Sequence, residues 1–361
     1  MLLKDQEGLW KVRNYRRLGL ILVSIGIIIR IIMLIYYYVV HLDPTFPWGD
    51  ILINYHTTDS MFTGEWIWAP TELEYPPLTL VLLLFLKIIS FDIFELFVFY
   101  AFLFELGTSL LFYYVLKKFN ISNALFVLGV FLVNPFVFLN NVFSPFNCGY
   151  HITDSIFYLF LILALYLYPK EDKRLFYLFS GLTMCAKWFT LPAALYFFFK
   201  FLLNKDWKQI KNLLIYLGVP ILVLLVSPLL YLPNYIDLYI SWISSSKTAL
   251  PYQPPEYVKL IIFGGIFLIY LILRLRKADL LEITFFSVIV MFSIMFWRRP
   301  YVRYLTPLVL YGHLKTNENI MTIDLNLKIT RVHFRIGNHL FTYILSGLGC
   351  IVAIAIIIFV F

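Results

Sequence analysis

A chain of 361 residues in which 61% are hydrophobic and only 14% charged, with mean hydropathy +0.83, falls far outside the composition of a soluble globular domain. The net charge of +8 does not point to nucleic acid, because the bases fall in short clusters at the ends of apolar runs, where membrane orientation explains them. Those runs are too long and too unalternated for a transmembrane barrel, so helices are the expected spanning elements, each taking about 20 residues.

The N-terminal stretch is charged for too long to be a signal n-region, and Leu18 to Val40 is expected to be a retained first span. Lys11, Arg13, Arg16 and Arg17 precede it, which places the N-terminus in the cytoplasm and the following loop outside. Residues 41–93 form that loop. It collects Asp43, Asp50, Asp59, Glu65, Glu72 and Glu74 around Trp48, Trp66, Trp68, Tyr55 and Tyr75. Pro76 to Ser90 is apolar but short, and is expected to be a re-entrant or surface helix, since a full crossing there would turn every later basic cluster outward.

Downstream, expected spans are Phe94 to Leu116, Ala124 to Leu139, Ser155 to Tyr168, Leu175 to Thr190, Pro192 to Leu203, Leu213 to Leu230, Tyr257 to Leu273, Leu280 to Trp297 and Tyr301 to Leu314. A polar cytoplasmic loop over 315–339 precedes a last span over 340–361. The expected fold is therefore all-α and polytopic: one integral-membrane domain with about 11 transmembrane helices. Cys148, Cys185 and Cys350 show neither metal spacing nor a disulfide framework, and read as small core residues.

Carboxylates on the first loop and isolated cations at Lys187, Arg298, Arg299 and Arg303 share the expected outer face. Transfer of a sugar from a polyprenyl phosphate suits such a pairing. The phosphate leaves readily if cations hold its charge, and the acceptor hydroxyl needs one general base. A glycosidase would instead want two carboxylates flanking the bond. Asp50, just beyond the first span, is the chosen base; the alternative is that it caps a short helix starting at Ile51. Asp59 and Glu65 are candidates for the acceptor or for a metal. Asp154, with His151 upstream, either orients substrate or caps a helix beginning at Ser155.

Lys187 lies in an apolar run and needs an anion, for which a phosphate is one candidate and Asp154 or Asp50 the structural alternative. Arg303, with Tyr304, is the other candidate for the donor phosphate. Glu74 and Tyr75 lead into the paired prolines and, with Tyr55, Asp59, His151 and Asp154, make up the candidate substrate residues. Glu105 is expected to face the bundle interior, with no partner legible in sequence.

Taken in order, Asp50 and Tyr55 after the first span, EYPPL at Glu74 to Leu78, Asn134 and Pro135 leading to Gly149 through Ser155, AKWFTLP at Ala186 to Pro192 and VRYLTP at Val302 to Pro307 resemble the GT-C superfamily of membrane glycosyltransferases. The similarity is to the branch with GPI mannosyltransferase I and related polyprenyl-phosphate-mannose-dependent mannosyltransferases. It implies a GT-C bundle and inverting transfer of a single sugar, usually mannose, from a dolichyl- or polyprenyl-phosphate donor to a glycolipid or glycan acceptor, with Asp50 as the catalytic aspartate. Several relatives carry an acidic pair separated by one residue here, whereas Ile51 and Leu52 follow Asp50. No cofactor is required by this reading; a divalent metal is the one candidate, and that departure weakens it.

The expectation is thus a multi-pass plasma-membrane glycosyltransferase with its site on the outer face. The alternatives are a lipid or sugar transporter or flippase, and a non-catalytic membrane subunit. Inverted repeats, and broken helices with charges near the midplane, would favour a transporter; neither is legible in the sequence.

Overall fold

The computed structural model describes residues 2–40, 50–58, 76–134, 152–226, 275–295, 306–314, 319–326 and 331–337, with a few single positions between them. These are helical apart from one antiparallel hairpin, β1 (Asn319–Asn326) with β2 (Arg331–Gly337), which occupies the expected cytoplasmic loop. Among the described residues three helices are long and apolar enough to cross a membrane, Asn14–Ile35, Phe94–Lys118 and Trp207–Val226. The protein is accordingly a helical membrane protein in character.

Helix α1 (Leu2–Val40) continues through the basic N-terminal segment without a break. It is followed by α2 (Asp50–Thr57), α3 (Pro77–Ile89), α4 (Phe94–Lys118) and α5 (Ala124–Leu132). Helix α1 packs along α5 through small residues: a Cβ on Gly26 would lie 2.6 Å from Leu132 Cβ, and one on Gly129 would lie 2.6 Å from Leu22 Cβ. Close backbone approach of this kind is how helices associate where the surroundings are as apolar as their side chains. The outer flank of α1, including Leu20, Ile21, Ile28, Ile32 and Ile35, is exposed, as lipid contact requires.

The register of these contacts fixes relative direction. Gly19 meets Phe126 and Gly26 meets Leu132, so α1 and α5 are parallel. Tyr38 donates to the Glu95 carbonyl and Arg30 pairs with Glu105, so α1 and α4 are antiparallel. The chain therefore leaves α1 and enters α4 at the same end of the bundle, with no net crossing between residues 41 and 93. Helix α3, with 13 residues, is about 20 Å long against roughly 30 Å of hydrocarbon.

Beyond these lie α6 (Ile152–Leu167), α7 (Arg174–Ala186), α8 (Pro192–Leu203), α9 (Trp207–Leu213), α10 (Leu280–Met295) and α11 (Thr306–Leu314). Helix α4 and helix α6 share a direction, because Phe119 stacks on Tyr168 at their C-terminal ends, with centroids 6.0 Å apart. Helix α7 runs back: Phe176 at its start meets Tyr168, and its last residue, Ala186, clusters with Ile152 and Ile156 at the start of α6.

Several expected spans differ from the observed helices. The helix that starts at Ala124 closes at Leu132, short of the expected end at Leu139. The one from Leu175 ends at Ala186, because Lys187 is extended (φ −159, ψ 138) and a 3-10 turn, Trp188–Thr190, follows. The segment from Leu213 widens into two π-helical turns, Leu214–Gly218 and Leu222–Val226, on either side of Pro220. Proline lacks an N–H and its ring presses on the preceding turn, which a π-bulge relieves. The Pro220 carbonyl accepts from Cys185 Sγ at 3.4 Å, so this buried cysteine is part of the packing.

A group of bases gathers at one end, opposite Lys87 and Lys187. Lys117 and Lys118 close α4, and Lys170, Lys173 and Arg174 form the α6–α7 turn. At the same end Lys200 donates to the carbonyls of Arg276 (3.1 Å) and Ala278 (2.6 Å), tying the α8–α9 turn to the segment before α10. In the α6–α7 turn the exposed Asp172 carboxyl is pulled down to about 2, first by its side-chain hydrogen bond from Arg174.

Glu105 does have a partner. Arg30 Nε lies 3.2 Å from Glu105 Oε2, with 0% and 1% of the side chains exposed. Arg30 Nη1 donates to the carbonyls of Leu132 (2.8 Å) and Gly26 (3.0 Å), and Ser109 donates to Glu105 Oε1 (2.9 Å). The sequence places both charges inside spans, and the structure joins them. Removing one member strands the other, at a cost of about 3–5 kcal/mol, whereas replacing both with apolar residues is far milder. Glu105→Ala is expected to lower the unfolding midpoint in detergent well below that of the Arg30→Leu/Glu105→Leu double variant. Equal midpoints for the two would contradict this account.

Candidate functional site

The site is built where the non-basic ends of the helices meet. Ile51 and Tyr55 on α2, Leu83 and Leu86 on α3, Phe97, Val98 and Ala101 on α4, Ile152 and Ile156 on α6 and Ala186 on α7 form one buried cluster. Of the sequence-predicted positions, Asp50 is the first residue of α2, next to Ile51, Asp154 lies between Ile152 and Ile156, and Lys187 follows Ala186; α2 packs on α3 and α4, and the pair joined directly is Asp154 with Lys187.

Lys187 and Asp154 form an ion pair, with the lysine side chain 14% and the aspartate 4% exposed. The break in α7 makes this contact: the chain turns extended at Lys187 and directs the ammonium toward the first turn of α6. That helix begins at Ile152, before Asp154, so Asp154 sits inside the first turn and does not cap a helix starting at Ser155. Its charge there faces the favourable end of the helix dipole. Among the described residues, Asp154 is a candidate anion that does pair with Lys187.

A broken helix frees backbone carbonyls that must find donors. The Ala186 carbonyl accepts from Thr79 Oγ1 on α3 at 2.6 Å, which bonds the segment after EYPP directly to AKWFTLP. The α2 helix is fixed by a second polar cluster. Tyr55 donates to Asp92 Oδ1 (2.7 Å) in the α3–α4 turn. The fully buried Lys87 pairs with the same oxygen (3.2 Å), reaches the Tyr55 carbonyl (3.3 Å) and lies 4.0 Å over the Tyr55 ring. Asp92 adopts a left-handed backbone (φ 57), as does Phe91 before it, which lets the turn bring the carboxylate back over Lys87.

Tyr55 thus holds α2 in place through its hydroxyl, a role its position as a candidate substrate residue did not suggest. Asp59, Glu74, Tyr75, His151, Arg303 and Tyr304 lie outside the described residues, as do Glu65, Arg298 and Arg299. Among the described residues no three of His, Cys, Asp and Glu gather to hold a metal. Lys87 and Asp92 escaped the sequence reading because a lysine late in a short helix and an aspartate at its end look like an ordinary solvated turn. The signal available was the apolar stretch that surrounds Lys87.

Comparison with family models, with curated proteins and with solved structures finds no match to this chain.

Thr79→Val would leave the Ala186 carbonyl buried without a donor, a loss of about 1–3 kcal/mol. A lowered thermal midpoint in detergent is expected for Thr79→Val and near-normal behaviour for Thr79→Ser; similar midpoints for the two would refute the link.

Proposed function

We propose that the protein is a membrane glycosyltransferase that moves a single sugar, with mannose as the first choice, from a polyprenyl- or dolichyl-phosphate donor to a glycolipid or glycan acceptor. The observation that carries this reading is the pairing of Lys187 at the end of α7 with Asp154 at the start of α6, beside the buried cluster that also holds Ile51 and Tyr55 of α2, at the end of the bundle opposite Lys117, Lys118 and the α6–α7 turn. A polyprenyl-linked donor lies in the membrane and presents its head group at the surface, where these helix ends lie if the bundle spans.

In this mechanism Asp50 takes the proton of the acceptor hydroxyl as that oxygen attacks the anomeric carbon, with inversion, and the lipid phosphate leaves with the bonding electrons. Lys187, with Arg303 and Tyr304, holds the phosphate charge. Asp154 orients Lys187, and a phosphate arriving there joins an ammonium that already has a carboxylate beside it. Holding hydroxyl and anomeric carbon together supplies much of the rate. The same reading carries a bundle of about 11 spans in the plasma membrane, with the N-terminus cytoplasmic, because the basic ends of helices face the cytoplasm.

A transporter or flippase is the second reading, and two observations favour it that were not legible in the sequence. One is the buried Arg30–Glu105 pair well inside α1 and α4; the other is the interruption of helices at Lys187 and around Pro220. The pair, however, is enclosed and bonded to backbone carbonyls and Ser109, as a structural pair would be.

Purified protein incubated with labelled dolichyl-phosphate mannose and cell lipid acceptors is expected to transfer label, and Asp50→Asn to insert normally yet lose at least a hundredfold in rate. Near-normal turnover in Asp50→Asn removes Asp50 from the role; movement of intact donor between leaflets without transfer supports the transporter instead. Single cysteines in place of Asp92 and Lys170, at opposite ends of the bundle, are expected to react with an impermeant thiol reagent from opposite faces of the membrane, Asp92 from outside. Labelling of both from one face would overturn the topology.

A further inference from the structure

Asn54 lies four residues after Asp50 on α2, and that spacing puts the two on one face of the helix. Its side chain is 0% exposed, yet neither its amide nitrogen nor its amide oxygen has a hydrogen-bond partner. Native proteins leave few buried polar atoms in this condition, because each costs about 1–3 kcal/mol. The hydroxyls of Thr153 and Ser155, on either side of Asp154, and of Thr190, three residues after Lys187, are also buried and without a partner. Among them Asn54 is the one amide, with both a donor and an acceptor unused, and it lies on the helix that begins with Asp50.

We infer that Asn54 is a sugar-binding residue, its amide donating to one hydroxyl and accepting from another. An amide offers donors and acceptor at once, which matches a polyol and not a phosphate, whose oxygens only accept at neutral pH. The amide is uncharged, so it complements the lysine proposed to face the phosphate. This inference rests on the proposed transferase reading and adds to it the part of the site that recognises the sugar.

Replacing an unpaired buried amide by an apolar side chain of similar size removes its burial cost, so stability and ligand recognition should move apart. In transfer assays with labelled dolichyl-phosphate mannose, Asn54→Leu is expected to raise KM for donor or acceptor at least tenfold, while its thermal midpoint without ligand stays at or above the wild type. Asn54→Ala serves in the same way should the leucine fail to pack. Ser180→Ala, which removes another buried hydroxyl without a partner, seven residues before Lys187 on α7, should leave KM unchanged with a midpoint at or above the wild type. Unchanged KM in both Asn54 variants overturns the inference and leaves the transferase reading standing, as does a fall in midpoint with normal KM, which would make Asn54 structural. Absence of transfer by the wild type overturns the transferase reading and this inference with it.

Discussion

The Arg30–Glu105 pair is the constraint from which the rest of the arrangement follows. Helices in an apolar medium gain little from burying apolar surface against one another, so nothing in their Leu, Ile and Phe content selects a register. A buried guanidinium and carboxylate do select one, because any slip separates charges that cannot be solvated elsewhere. Here the guanidinium also reaches the carbonyls of Gly26 and Leu132, so one side chain ties α1, α4 and α5 together. Antiparallel α1 and α4 then oblige residues 41–93 to leave and return at one end, and α2 with α3 forms a cap on the bundle there.

That cap is held by polar contacts whose geometry depends on irregular backbone. Away from water, non-helical backbone is tolerated only where protein satisfies it. The break at Lys187 meets this condition through Thr79, and the left-handed turn at Phe91 and Asp92 places a carboxylate where Lys87 and Tyr55 can share it. Each irregularity therefore has a bonding partner on a different element. The consequence for the site is rigidity, since α2, α3, α6 and α7 cannot shift independently without breaking one of these contacts.

Much of this organisation was legible in the sequence, for identifiable reasons. Basic clusters mark helix ends, so the alternation of directions could be counted, and the shortness of the run from Pro76 to Ser90 pointed to a re-entrant or surface helix, which appears as the 13-residue α3. The pairing of Lys187 with Asp154 was open as one of several choices because burial of a lysine demands an anion without naming it. What stayed hidden depends on contacts between distant segments: Arg30 with Glu105 is separated by 75 positions, and Tyr55 with Asp92 by 37. The start of α6 at Ile152 was missed because Asp and Ser favour caps, and tertiary packing overrode that preference. Asn54 carried no signal at all, since an asparagine beside an acidic loop looks like a surface residue until its burial is known.

At the site end, both described lysines are matched by carboxylates, Lys87 by Asp92 and Lys187 by Asp154. Simple attraction between unmatched cations and a lipid phosphate is therefore a poor account of how a donor would be recognised at these residues. A phosphate near Lys187 would share the ammonium with Asp154, and two anions on one cation is a costly arrangement unless further donors arrive. On the transferase reading, those donors would be Arg303 and Tyr304, which lie outside the described residues. Recognition of the sugar by uncharged groups such as Asn54 then has a physical reason: it adds affinity without enlarging the charge imbalance that the phosphate creates.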